Sequence, residues 1–252
     1  GSIYDHLAVV KACAPRGIHV MVEKPLAVSV AHAMEMEALA KKYNILLLTN
    51  YETSWYPATV KTYQLVYDSS YIGNIRKAVF HHGHEGPREI GVSDDFFNWL
   101  TDPVQNGGGA IVDFGCYGAN IMTWLTKGEK PLSVSAVTRQ FKPDIYPKVD
   151  DEATVIVSYP QSQAIIQASW NWPFNRKDME VYGTTGYIKT VDNSLMHIRK
   201  AKEPGERTTA YTTNDIPVYT DPFEYFTNLI RKKIHIDPYG LYSLENNIMV
   251  VK

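Results

Sequence analysis

Cysteine is scarce in this 252-residue chain, with Cys13 and Cys116 the only two. That excludes a disulfide framework and makes a reducing, cytoplasmic setting the simpler reading, although a periplasmic protein can also lack disulfides. An excess of either charge is missing as well. Twenty-five Lys and Arg stand against 27 Asp and Glu, a formal net charge of -2. Such a balance provides no basic field for nucleic acid and no polybasic patch for a membrane. No apolar run approaches the roughly 18 residues of a membrane span, and nothing at the start resembles a signal peptide. A dinucleotide-binding G-x-G-x-x-G turn is also absent. Gly107-Gly108-Gly109 imitates its beginning, but Val112 stands where the last glycine belongs.

What is present reads as a globular α/β protein. Residues 4–14 carry Leu7, Val10, Lys11 and Ala14 at helical spacing, closed by Pro15 and Gly17. His19 to Val22 forms a short buried strand ending at Glu23-Lys24-Pro25. Ser29 is an N-cap for a helix to about Tyr43, and Ile45 to Thr49 is an apolar run typical of a parallel strand buried on both faces. Helix–strand–helix–strand at this density predicts βαβ units in part of a doubly wound, Rossmann-like domain. Because the chain enters that pattern on a helix, the first half of the domain is expected to be missing. Its last residues, LENNIMVVK, break off within a helical run, so a clipped C-terminus is expected too.

From about Tyr71 the pattern changes. A strand is predicted over 74–84, a glycine-led helix over 109–126, then strands over 132–140, 152–159, 163–171, 178–183 and 186–191. Turns at Pro160-Gln161 and Gly183 to Gly186 make most of these antiparallel. Residues 201–220 read as a surface loop, and Asp221-Pro222 starts another helix. The expected division is 1–53 for the half nucleotide-binding unit and 54–239 for an α+β unit, with 240–252 packing back on the first.

Two stretches carry candidate chemistry. Lys24 sits at the C-terminal end of a parallel strand, where open α/β sheets bind ligands, and its ammonium could stabilise a substrate oxygen; a solvated lysine before a proline turn is the plainer alternative. On the 109–126 helix, Asp113, Tyr117 and Asn120 fall at i, i+4 and i+7 and share a face. Gly115 and Gly118 each cost such a helix roughly 1 kcal/mol, which implies a close approach of backbone or ligand. A carboxylate and a phenol there could orient a hydroxyl and pass its proton, and a neighbouring lysine would lower the phenol's pKa. A dipole-favoured carboxylate and a packed tyrosine ring would give the same pattern. His81, His82, His84 and Glu85 hint at a metal, but only His82 and His84 share a strand face, and lining or packing roles are preferred. Trp170 and Trp172 fit either a sugar-binding face or the core.

Taken in order, E-K-P-L, the LLLTNY strand, G-G-G-A-x-x-D-x-G-x-Y before W-L, K-V-D-D at 148–151 and Y-G-T-T-G at 182–186 resemble the glucose–fructose oxidoreductase, inositol dehydrogenase and rhizopine-catabolism family over nearly the whole chain. The resemblance implies hydride exchange between NAD or NADP and a sugar, cyclitol or similar secondary alcohol. It implies an open-faced sheet in the second unit that supports a homo-oligomer. It makes Lys24, Asp113 and Tyr117 the catalytic set, with Tyr117 in the position that many relatives fill with histidine. Glu23, Pro25 and Tyr51 would lie near the nicotinamide, while Asn120, His82, His84 and Trp170 would line the substrate site. Glu52 departs from the arginine common in relatives. With no glycine-rich phosphate seat, the chain is expected to hold the cofactor weakly. An NAD-dependent glycosidase of the same fold is an alternative, disfavoured by Tyr117, and a non-catalytic sugar-binding or assembly module is another.

Overall fold

The computed structural model describes residues 1–68, 70–216 and 218–252. The N-terminal unit is a βαβ arrangement. Helix α1 (His6–Cys13) runs through a tight turn to Gly17, whose φ of 67° suits a residue without a Cβ. Strand β1 (Val20–Glu23) and strand β2 (Leu47–Asn50) pair in parallel, joined by helix α2 (Val30–Tyr43). The Ser29 side chain accepts from the His32 backbone N–H, capping α2 as its sequence predicts. Val10, Val20, Val22, Leu26, Met36 and Leu47 form the core of this unit.

Helix α3 (Pro57–Tyr67) leads into an eight-stranded sheet. Its strands in chain order are β3 (Ile75–Gly83), β4 (Ser133–Arg139), β5 (Glu152–Ser158), β6 (Gln163–Ser169), β7 (Arg176–Gly183), β8 (Gly186–Thr190), β9 (Leu195–Lys200) and β10 (Arg207–Ala210). Their spatial order is β10-β9-β8-β7-β3-β6-β5-β4; only the central β3–β6 pair is parallel. The fold is therefore a Rossmann-like unit followed by a mostly antiparallel sheet. Strands β9 and β10 were not foreseen, and β10 lies inside the stretch read as a loop. Its residues, Arg-Thr-Thr-Ala, are polar because it is an exposed edge strand. Position 217 of that stretch lies outside the described residues.

The helix expected over 109–126 is two helices. Helix α4 (Asp94–Leu100) precedes them; α5 (Ala110–Asp113) and α6 (Gly115–Leu125) meet at Phe114. Asp150 fixes the start of α5: its carboxylate accepts from the backbone N–H groups of Gly109 and Ile111. A Cβ at Gly109 would sit 1.8 Å from the Asp150 carbonyl oxygen, so only glycine fits beside that cap. The triple glycine thus serves a close backbone crossing. Helix α6 lies on the sheet through Gly118, where a Cβ would meet Ile166 at 2.8 Å and Phe80 at 3.0 Å. Ile121, Met122 and Leu125 continue that buried face. Finally, α7 (Pro222–Ile230) and α8 (Leu244–Val251) close the chain. Ile248 of α8 joins the N-terminal core, with Leu244 and Val251 packed against it, and the Thr49 N–H donates to the Tyr242 carbonyl.

Candidate active site

Three elements bring Lys24, Asp113 and Tyr117 together. Lys24 follows the last residue of β1, Asp113 ends α5 and Tyr117 lies in the first turn of α6. The Lys24 Nζ donates to Asp113 Oδ1 at 2.5 Å and to the Asp113 carbonyl oxygen at 2.7 Å. The other carboxylate oxygen, Oδ2, accepts from the Trp170 indole N–H at 3.0 Å. Burial alone would raise the Asp113 carboxyl, but Lys24 and Trp170 outweigh it and hold the group below its usual range. Burial likewise disfavours the Lys24 cation, and the carboxylate more than compensates, so the ammonium stays charged beyond its ordinary range.

Tyr117 is packed by rings. His82 stacks on it at 5.2 Å and Phe114 at 6.2 Å, while Tyr51 meets it edge-on at 5.4 Å. The Lys24 ammonium is 5.1 Å from the centre of its ring and that of Lys177 is 5.5 Å away. Among the described residues, none forms a hydrogen bond with the Tyr117 hydroxyl. The lowered phenol pKa expected from the sequence is not what the structure gives. Burial pushes the phenol above its usual range, and Lys24, already engaged with Asp113, offsets only part of that rise.

The other residues singled out from sequence fall into distinct places. His82 is buried and neutral, its pKa pulled down to about 3 by burial, and its Nδ1 has no hydrogen-bond partner. His84 lies on the same strand face, edge-on to Phe114, and accepts from the Gly86 N–H, so the period-two spacing does bring both histidines here. Trp170 is wholly buried; it acts on Asp113 and presents no face to a sugar. Asn120 is not brought to the cluster. Its amide donates to the Leu241 carbonyl and to Asn246, tying α6 to α8. Tyr51 is fully buried behind Tyr117 and supports its ring from the rear. Pro25 is buried, while Glu23 is exposed and accepts from the Asn50 side-chain amide.

Lys177 escaped the sequence reading. It faces Tyr117 because it pairs with His82 across β3 and β7, a register that sequence spacing does not reveal. Its ammonium donates to Glu52, which also accepts from the Tyr56 hydroxyl. A cleft of about 590 Å³ opens beside this cluster, with Pro25 and Cys116 at its edge. Val28, Ile111, Ala119, Val155 and Met249 help line it, and none of Lys24, Asp113 and Tyr117 does.

A nicotinamide fits one part of this arrangement. The exposed Glu23–Asn50 pair marks the C-terminal edge of two parallel strands, where such sheets take ligands, and the Tyr117 hydroxyl has no hydrogen-bond partner among the described residues. The sequence itself contains no G-x-G-x-x-G turn of the kind that cradles the phosphates.

Residues 60–189 match the model of the GFO/IDH/MocA C-terminal domain. Residues 3–51 match that of an oxidoreductase family with an NAD-binding Rossmann fold. The chain belongs to the GFO/IDH/MocA family. Among GFO/IDH/MocA relatives, the trans-1,2-dihydrobenzene-1,2-diol dehydrogenase of Xenopus laevis is 28% identical over 193 residues, covering 75% of this chain and 53% of that protein. The Bos taurus enzyme of the same name is 31% identical over 156 residues, 62% of this chain and 42% of the other. The chain thus spans about half the length of the curated relatives it matches. Its fold is shared with the aldose-aldose oxidoreductase from Caulobacter crescentus complexed with glycerol (TM-score 0.80, 22% identity, 99% of this chain and 72% of that one). It is shared too with GenD2 from gentamicin A biosynthesis in complex with NAD (TM-score 0.78, 20% identity, 100% and 71%). Within the GFO/IDH/MocA frame this chain is an oxidoreductase-family protein, and no helix among its described residues is long and apolar enough to cross a membrane.

Proposed function

We propose that the chain supplies the proton-handling half of an NAD(P)-dependent oxidation of a secondary alcohol that carries a neighbouring hydroxyl, as in sugars, cyclitols and diols. The carrying observation is the joint placement of Lys24, Asp113 and Tyr117, with the Tyr117 hydroxyl free of any described protein partner. The names of the diol dehydrogenases and the aldose oxidoreductase support that substrate class.

NAD or NADP, bound at the β1–β2 edge near Glu23 and Asn50, would supply hydride acceptance. The chain's own residues then handle the proton. Tyr117, neutral in its buried setting, donates its proton to the reacting oxygen when a carbonyl is reduced, and in the oxidation direction it takes the substrate hydroxyl proton from its ionised form. Lys24 favours the phenolate and stabilises negative charge on the reacting oxygen. Asp113 keeps Lys24 charged and aimed, and Trp170 holds the carboxylate in place. Packing from Tyr51, His82 and Phe114 fixes the phenol ring and excludes water.

Lacking a phosphate seat, the chain holds the cofactor weakly, and assays call for millimolar NAD(P). The partner is a small carbohydrate-like molecule, with a second copy of the chain against the open sheet. The test is Tyr117→Phe on any substrate that reduces the cofactor. Turnover falls by about 100-fold or more if the phenol is the acid/base, and full turnover in the variant removes the assignment.

A further inference from the structure

Tyr117 faces ionisable groups from every element packed around it. Lys24 comes from the end of β1, Asp113 from α5, and Cys116 from its own helix. Tyr51, Glu52 and Tyr56 come from the segment after β2, His82 and His84 from β3, and Lys177 from β7. The two lysines differ in how their charge is used. Lys24 makes two hydrogen bonds to Asp113, one of them to a mostly buried carboxylate. Lys177 has one hydrogen-bond partner among the described residues, Glu52. Its side chain is only 14% exposed, while that of Glu52 is 52% exposed. A largely buried ammonium is therefore held over the phenol, 5.5 Å from the ring centre, by a carboxylate that solvent and ligands can reach.

We propose that Lys177 is a second cation tuning the acidity of Tyr117, and that Glu52 holds its influence in check. A cation beside a phenol favours the phenolate, and a carboxylate beside it favours the neutral form. Lys177 and Glu52 therefore act on Tyr117 in opposite directions. A substrate hydroxyl that donates to Glu52 draws the carboxylate away and leaves the Lys177 charge over the ring, so acid strength changes when substrate arrives. Lys177 acts through Tyr117 and is a positioning residue. Its use in turnover rests on the dehydrogenase reading above, whereas its coupling to the phenol does not.

The coupling is measured on the chain itself, without cofactor or substrate. The protein is made with 3-fluorotyrosine, which lowers the intrinsic phenol pKa, and each ring is followed by fluorine NMR against pH. Tyr117→Phe identifies the line. Glu52→Gln is expected to move the Tyr117 midpoint down by about one pH unit, and Lys177→Met to move it up by a similar amount. Lys177→Arg, which keeps the charge, follows the parent chain, and the double variant Glu52→Gln/Lys177→Met returns close to it. Thermal melts confirm that each variant is folded. A midpoint that neither single substitution moves in folded protein overturns the proposal. Failure to turn over any alcohol would remove the dehydrogenase reading and leave this titration intact.

Discussion

A phenol enclosed by Tyr51, His82 and Phe114 is held neutral by that enclosure, even with an ammonium 5.1 Å from its ring. Burial acts on every group here, and its sign differs by residue. It raises Tyr117 and takes the Cys116 thiol up to about 12, so that cysteine packs as a small apolar side chain. His82 moves the opposite way, from 6.5 in the unfolded chain to about 3 in the folded one. Between those two values the unfolded chain binds the extra proton. Stability is therefore fully present above pH 6.5 and is lost as pH falls towards 3, at up to about 1.4 kcal/mol per pH unit. His82→Phe, which keeps a ring against Tyr117, should flatten that limb in chemical denaturation measured from pH 7 to pH 4. An unchanged slope would mean that His82 is not buried as a neutral ring. Asp113 behaves in the usual carboxylate sense: its contribution is present above about 3.8 and is lost as pH falls through its depressed folded value.

At the scale of elements, the glycines that the sequence marks out have separable jobs. Gly118 lets α6 lie directly on β3 and β6, where a Cβ would press Ile166 and Phe80. Gly118→Ala should cost about 1–3 kcal/mol by overpacking, read as a shift of the urea midpoint, with Gly115→Ala as the contrast because its Cβ would meet only ordinary contacts at 3.7 Å. Equal losses at both positions would contradict this packing. The helical stripe through Ile121, Met122 and Leu125, the Ser29 and Asp221 caps and the two hairpin turns were legible because each is a local pattern. The cap on α5 was not, since the Asp150 carboxylate reaches it from a loop 39 residues beyond Ile111. The Asn120 amide, expected at the site from helical spacing, bonds instead towards α8, and Lys177 was not legible because strand register is invisible in sequence. Lys24, Asp113 and Tyr117, which the structure brings together, were singled out through the ordered family resemblance rather than by spacing alone.

At the scale of the molecule, the eight-stranded sheet carries helices on one side. Its other side presents Val137, Ile156, Ile165 and Val79 on neighbouring strands, next to Tyr182 and Tyr187. Val137 is 59% exposed and Ile156 40%, an apolar band that a second copy of the chain would cover. Sedimentation velocity should show a dimer or larger species, and Ile156→Lys should shift it to monomer without lowering the melting temperature of the fold. A monomeric parent chain would remove this surface from the account. Tyr117 lies on α6, on the helical side, so a change at Ile156 leaves its surroundings in place.

The central claim, that Tyr117 handles the proton with Lys24 and Asp113 behind it, is tested most directly by NAD(P)H absorbance. Aldoses, cyclitols and vicinal diols are offered to the parent chain and to Tyr117→Phe at millimolar NAD(P). Cofactor reduction is expected with at least one of these alcohols in the parent, with a loss of about 100-fold or more in the variant. Reduction that proceeds at the parental rate without the phenol would contradict it.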